Sequence, residues 1–142
     1  MAPLTHSARI FLIWAFASLA GVALAGGSPE ELATQSAERW LSLTDGGKYD
    51  ESYGEASQYF QHAVSADQWR TSMHAVRDPL GKLISRKLKN SQFTETLPGA
   101  PDGKYVVLQY DAKFEHKQSA VETVTPMLDS DGQWRVSGYF IK

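Results

Sequence analysis

The spacing of apolar residues changes period once, at Pro79-Leu80-Gly81, and that change limits the chain to a helical half followed by a half built of strands. Upstream, Ser28-Pro29-Glu30-Glu31 combines a Ser cap, Pro at the first helical position and Glu three residues after the cap, the local chemistry of a helix start. Ala33, Ala37, Trp40, Leu41 and Thr44 then recur at helical spacing, and Asp45-Gly46-Gly47 stops the run. Tyr49, Tyr53, Ala56 and Phe60 keep the helical period through a segment interrupted near Gly54 and Ser57, which reads as two short helices with a kink between them. Ser65-Ala66-Asp67-Gln68 is a second capping box; Trp69, Met73 and Val76 form the expected apolar face, and Pro79 ends the helix.

Beyond Gly81 the period becomes two. Residues 82–95 read as a long strand, and residues 97–103 (LPGAPDG) as the loop after it. Residues 105–114 alternate, with Val106, Leu108, Tyr110, Ala112 and Phe114 on one face and Tyr105, Val107, Gln109, Asp111 and Lys113 on the other. A turn centred on His116-Lys117 returns the chain as residues 120–128; Asp131-Gly132 is a hairpin pair, and residues 134–141 form the last strand. The expectation is an α+β fold: three N-terminal helical segments packed on a curved, four-stranded antiparallel sheet.

A chain of 142 residues holds one ordinary domain. Lys plus Arg number 14 against 16 Asp plus Glu, which lacks the basic excess of a nucleic-acid binder. No cysteine is present, so disulfides, thiolate metal sites and cysteine nucleophiles are excluded. Residues 10–25 (IFLIWAFASLAGVALA) are an uncharged run preceded by Arg9 and ending in Ala23-Leu24-Ala25, with small residues at the first and third positions of that triplet. This is the pattern of a secretory signal cleaved after Ala25, and the run is shorter than the ~20 apolar residues of a spanning helix. The expected organisation is therefore a signal peptide over 1–25 and a single domain over 26–142, periplasmic or secreted, with no membrane segment after cleavage. An exported domain without disulfides relies on its core, and the missing cysteine favours a bacterial periplasm.

Several blocks occur in an order that resembles a known bacterial family of exported proteins. They are Trp40-Leu41, Asp45 and Tyr49; Val64-Ser65, Gln68-Trp69; Arg77-Asp78-Pro79-Leu80-Gly81; residues 97–103; Glu122-Thr123-Val124; and Trp134-Arg135-Val136-Ser137-Gly138-Tyr139. The family is known as domain of unknown function 4019. The resemblance implies a small cone-shaped α+β domain of the nuclear-transport-factor-2-like or cystatin-like kind. It implies no activity and brings no catalytic residues.

The chemistry-bearing residues are few. His62, His74 and His116 lack metal-ligand spacing, and neither a nucleophile elbow nor a phosphate-cradling glycine loop is present; no metal and no cofactor is expected. The turn at His116-Lys117 sets Asp111 opposite Glu122, and two opposed carboxylates raise one pKa, which is one way to make a general acid or base. Arg77 at a helix end and Arg86 in the first strand offer guanidinium forks for an anion, or structural ion pairs. Tyr53 and Tyr110 complete a candidate ligand site of Arg77, Arg86, Tyr53 and Tyr110. Trp40, Phe60 and Trp69 are assigned to the core.

The leading expectation is a non-enzymatic module of the bacterial envelope that binds a small ligand or an envelope protein. The alternatives are a cofactor-free isomerase or dehydratase with Asp111 or Glu122 as base, and a structural or envelope-stress protein forming a homodimer. That dimer pairs through an open sheet face carrying Tyr105, Val107, Val124, Tyr139 and Ile141.

Overall fold

Both capping boxes form as the sequence dictates. In the computed structural model, which describes residues 26–142, Ser28 and Glu31 exchange side-chain-to-backbone bonds, and Ser65 and Gln68 do the same. The expected signal peptide, Met1–Ala25, lies outside the described residues. The caps open α1 (Pro29–Asp45) and α4 (Ala66–Arg77); between them the middle segment divides into α2 (Tyr49–Gly54) and α3 (Gln58–Ala63). A 3-10 turn, Asp78–Leu80, leads into the strands β1 (Leu83–Thr94), β2 (Tyr105–Phe114), β3 (Lys117–Leu128) and β4 (Trp134–Ile141). These form one antiparallel sheet in sequence order, so the fold is α+β. No helix among the described residues is long and apolar enough to cross a membrane.

Helix α1 lies across one face of the sheet and touches all four strands. Its buried stripe, Ala33, Ala37, Trp40, Leu41 and Thr44, meets the inward residues Val106, Leu108, Tyr110, Val124 and Val136. Phe60 and Trp69 pack edge to face at 5.1 Å, and Trp40 lies 5.6 Å from Trp69 and 5.5 Å from Tyr139. Such aromatic pairs contribute about 0.5–1.5 kcal/mol each beyond the area they bury. The indole N–H groups donate inward, Trp40 to the Ser52 carbonyl at 2.8 Å and Trp69 to Ser52 Oγ at 3.0 Å, so α2 is fastened to both long helices. Ser57 caps α3, and its N–H donates to the Val136 carbonyl at 2.8 Å, joining α3 to strand β4.

Three expectations are corrected. On α4 the inward residues are Trp69, Met73 and Arg77, and Val76 is exposed. The helix turns 300° between residues 73 and 76 but nearly 400° between 73 and 77, so Arg77 returns to the Met73 side. Second, the β2–β3 turn is Glu115-His116, one residue earlier than expected, and an irregularity follows between Ala112 and Phe114. Tyr110 therefore pairs with Glu122, and Asp111 with Val121. A one-residue slip moves a side chain to the other face of the sheet: Glu122 points inward, while Asp111 is on the outer face. Third, the apolar residues expected on the open face are mostly covered, and the exposed one there is Phe140, 60% accessible and paired with Thr123. Val124 is buried and Tyr139 packs on the core, Ile141 packs against Ala112, Phe114 and Ala120, and Tyr105 is covered, its hydroxyl donating to the Pro101 carbonyl at 2.5 Å.

The early turn has a local cause. The Glu115 and His116 N–H groups donate to the Lys82 and Leu80 carbonyls, both at 2.9 Å, and Glu115 accepts from the Lys82 N–H at 2.9 Å. The clamp closes over Gly81, whose φ of 72° and 3.0 Å approach to both turn residues leave no place for a Cβ.

Candidate functional site

An aspartate closing a helix is the first local anomaly. The C-terminal end of a helix carries partial negative charge and disfavours an acid there, yet α1 ends on Asp45 with no basic residue in its last turn. The compensating cations come from elsewhere in the chain. Arg77, at the end of α4, donates from Nη2 to Asp45 Oδ1 at 2.8 Å. Arg86, from β1, donates to Oδ2 and Oδ1 at 2.7 and 2.9 Å. The opposite edge of the Arg86 fork donates to Glu122 on β3, Nε to Oε1 at 2.7 Å and Nη2 to Oε2 at 3.1 Å. Tyr139, on β4, donates its hydroxyl to Glu122 Oε2 at 2.6 Å.

Two carboxylates and two guanidiniums thus form one charge-balanced cluster between the end of α1 and the sheet. Glu122 is 0% exposed and Arg77 only 5%, with the Arg77 guanidinium 4.9 Å from the centre of the Phe114 ring. Burial alone raises the Asp45 pKa, but the hydrogen bonds and charges of Arg86 and Arg77 outweigh it and hold the carboxyl below its usual range. Burial likewise opposes the charge of Arg86, and Asp45 and Glu122 more than restore it. Tyr139 is pushed up by burial and then by the Glu122 charge.

The expected site residues part company here. Arg77 and Arg86 converge on Asp45. Tyr110 lies beside them on the inward face, its pKa pushed up to about 12 by burial and then by Glu38, and its buried hydroxyl has no hydrogen-bond partner. Tyr53 stands elsewhere: its hydroxyl lies 2.9 and 2.8 Å from the Gln61 and Val64 carbonyls and ties α3 to α2. Asp111 and Glu122, expected as a facing pair, are on opposite faces, with Asp111 on the outer face at 3.8 Å from Lys89. Among the described residues no group of three or more His, Asp or Glu is placed to hold a metal ion.

Sequence reasoning missed Asp45 and Tyr139 as members of the cluster. The signal for Asp45 was available, since an acid in the last turn of a helix demands a cation. Tyr139 carried none, because only the strand register puts it beside Glu122.

The concave surface lies apart from this cluster. A half-open cavity of about 630 Å³ is walled by Ser36, Arg39, Trp40 and Leu43 of α1, by Glu51, Gly54 and Glu55 of α2 and its cap, and by Gln133, Trp134 and Arg135 at the start of β4. Arg135 is held by Asp129 at 2.9 Å and Asp131 at 2.8 Å. Arg39, Glu51 and Glu55 take part in none of the ion pairs among the described residues. A shallower depression of about 440 Å³ lies at the outer edge of the cluster, lined by Tyr49, Arg77, Lys82 and the Gly46-Gly47 turn.

The model of a family described as "Protein of unknown function (DUF4019)" matches residues 36–139, which takes in both the charged cluster and the cavity. No curated protein matches the chain.

Proposed function

This chain belongs to the DUF4019 family, a family of unknown function, and on that premise we propose that residues 26–142 are an exported, non-enzymatic binding module of the bacterial envelope. The export part rests on the leader-like Met1–Ala25 and its Ala23-Leu24-Ala25 ending. The binding part rests on one observation: the buried charges are consumed by one another, whereas the 630 Å³ cavity has the half-buried Trp134 in its wall and, in Arg39, Glu51 and Glu55, charges with no ion-pair partner. Its size falls within the usual range of small-molecule sites.

The isomerase or dehydratase reading finds less support. A general base must come within hydrogen-bond reach of a substrate proton. Glu122 is wholly buried, both its oxygens accept from Arg86 and Tyr139, and it lines neither depression. Asp111 is exposed on the far side of the sheet, away from any concavity described above. Pairing through the open sheet face has a smaller apolar surface than expected, since of the five expected residues only Val107 is left there, beside the exposed Phe140.

Native mass spectrometry of the protein, expressed with its own leader and recovered from the periplasm, tests both parts. The expected mass begins at Gly26, with an adduct that Trp134→Ala removes. A chain retaining residues 1–25 overturns the export part. A bare mass, together with no specific partner on crosslinking in the intact envelope, overturns the binding part.

A further inference from the structure

We infer that the cavity between α1, α2 and β4 recognises a free basic amino acid, a ligand with one carboxylate and two ammonium groups. The inference rests on the binding reading above and names the ligand class for that same cavity.

Its starting point is Arg39. Of the five arginines among the described residues, four hold a carboxylate within 3 Å: Arg70 holds Asp50 and Asp67, Arg77 and Arg86 share Asp45, and Arg135 holds Asp129 and Asp131. Arg39 alone holds none, although Glu51 and Glu55 line the same cavity. Arg39 belongs to the α1 wall of the recess, and the two glutamates to α2 and its cap. A planar guanidinium is suited to bidentate capture of a carboxylate. Two glutamates at i and i+4 share one side of their helix and repel each other unless a cation lies between them.

Counted together, the uncommitted rim charges are one positive and two negative. A ligand bearing one carboxylate and two ammonium groups matches them in number and sign. A dicarboxylate would leave Glu51 and Glu55 without cations, and a simple diamine would leave Arg39 without an anion. The floor suits an aliphatic amine as well. Trp40 is only 2% exposed, so the apolar surface comes from the half-buried Leu43 and the Trp134 ring. Methylenes pack on such surfaces, and ammonium groups are attracted to the ring.

Titration calorimetry on the protein recovered from the periplasm, with L-lysine as probe, tests this against analogues that each lack one group. L-lysine is expected to bind, and cadaverine, which lacks the carboxylate, and L-norleucine, which lacks the second amine, to bind at least tenfold more weakly. Arg39→Gln is expected to weaken lysine tenfold or more and leave cadaverine unchanged, whereas Glu51→Gln with Glu55→Gln weakens both. All three side chains are exposed, and circular dichroism checks that each variant keeps its fold. Lysine binding no tighter than L-glutamate, or Arg39→Gln acting alike on lysine and cadaverine, overturns the inference. If lysine fails while the native protein still carries an adduct lost with Trp134→Ala, the ligand class falls and the binding module stands. If neither lysine nor an adduct binds, the ligand class falls, and the binding module falls with it when crosslinking in the intact envelope finds no partner either.

Discussion

The C-terminal end of α1 and its middle treat charge in opposite ways. At its C-terminal end, Asp45 is enclosed with Arg77, Arg86, Glu122 and Tyr139, and each carboxylate oxygen of Asp45 and Glu122 accepts at least one bond. Along its middle, Arg39 shares the lining of an open recess with Glu51 and Glu55 and forms an ion pair with neither. Buried charges are tolerated only when fully paired, because desolvation costs several kcal/mol per ion. Rim charges remain hydrated and are available to a visitor. The difference separates residues that hold the fold from residues free to do something else. Of the two readings the sequence leaves open for Arg77 and Arg86, an anion fork or structural ion pairs, the geometry favours the second.

The sharpest way to break the comparison is Arg86→Ala. It leaves Glu122 buried with only the Tyr139 hydroxyl and removes two bonds from Asp45, so a loss of about 3–5 kcal/mol is expected in urea unfolding. The double variant Arg86→Met, Glu122→Gln removes both charges and is expected to lose much less. A double variant as unstable as Arg86→Ala would show that the pair contributes net stability beyond mutual compensation.

Tyr139 and Tyr110 make a second contrast within the closed end. Tyr139→Phe removes a bond to a charged acceptor and is expected to cost about 1.5–3 kcal/mol. Tyr110→Phe removes a hydroxyl that has no partner and is expected to cost nothing or to stabilise slightly. The two also differ from ordinary tyrosines in alkali. A folded pKa raised above the unfolded value contributes stability that is complete below about pH 10 and is lost as pH rises through the folded value. Tyr110, pushed up to about 12, contributes to that loss between pH 10 and 12, and Tyr110→Phe is expected to make the decline shallower. An unchanged alkaline slope would mean that the hydroxyl reaches water.

How much of this was legible beforehand depended on the range of the interaction. The capping boxes at Ser28 and Ser65, the α1 stripe and the change of period at Gly81 are local patterns, and each formed where its residues stand. The inward face of β2 was legible from alternation alone. The partner of Glu122 was not, because it depends on whether the turn is centred on residue 116 or one position earlier. That is decided by the clamp from residues 80–82, which lie more than thirty positions away. The resemblance places Asp45, Arg77, Glu122 and Tyr139 in familiar blocks without saying what they touch, and Arg86 lies outside those blocks. Arg39, Glu51 and Glu55 carry no signal in the sequence, and only the cavity between α1, α2 and β4 sets them around one space.

Two glycines sharpen the same division. Gly81→Ala places a Cβ 3.0 Å from Glu115 and His116 at a φ that L residues rarely adopt, and a loss of about 1–3 kcal/mol is expected. Gly54, on the cavity wall at the end of α2, has ordinary φ and open space around it. Gly54→Ala is expected to gain about 0.5–1 kcal/mol, since the glycine carries only its helix penalty there. Thermal unfolding of both variants reads the difference directly. A loss at Gly54 as large as at Gly81 would mean that the cavity wall is packed as tightly as the clamp.

The smallest stability effects are expected at the rim, and their sign is informative. Glu55 caps the C-terminal end of α2, where the helix dipole disfavours an acid, and it stands four residues from Glu51, a like charge. Glu55→Gln is therefore expected to stabilise by a few tenths of a kcal/mol, and Arg39→Gln to shift stability by no more than about 0.5 kcal/mol either way. Urea unfolding at low salt, where exposed charges are least screened, gives the greatest sensitivity. A loss above 1 kcal/mol at either position would make the rim part of the scaffold and place it with the buried cluster. A gain at Glu55 would mean that the chain keeps an acid there against its own stability, as a residue retained to meet a cation would be.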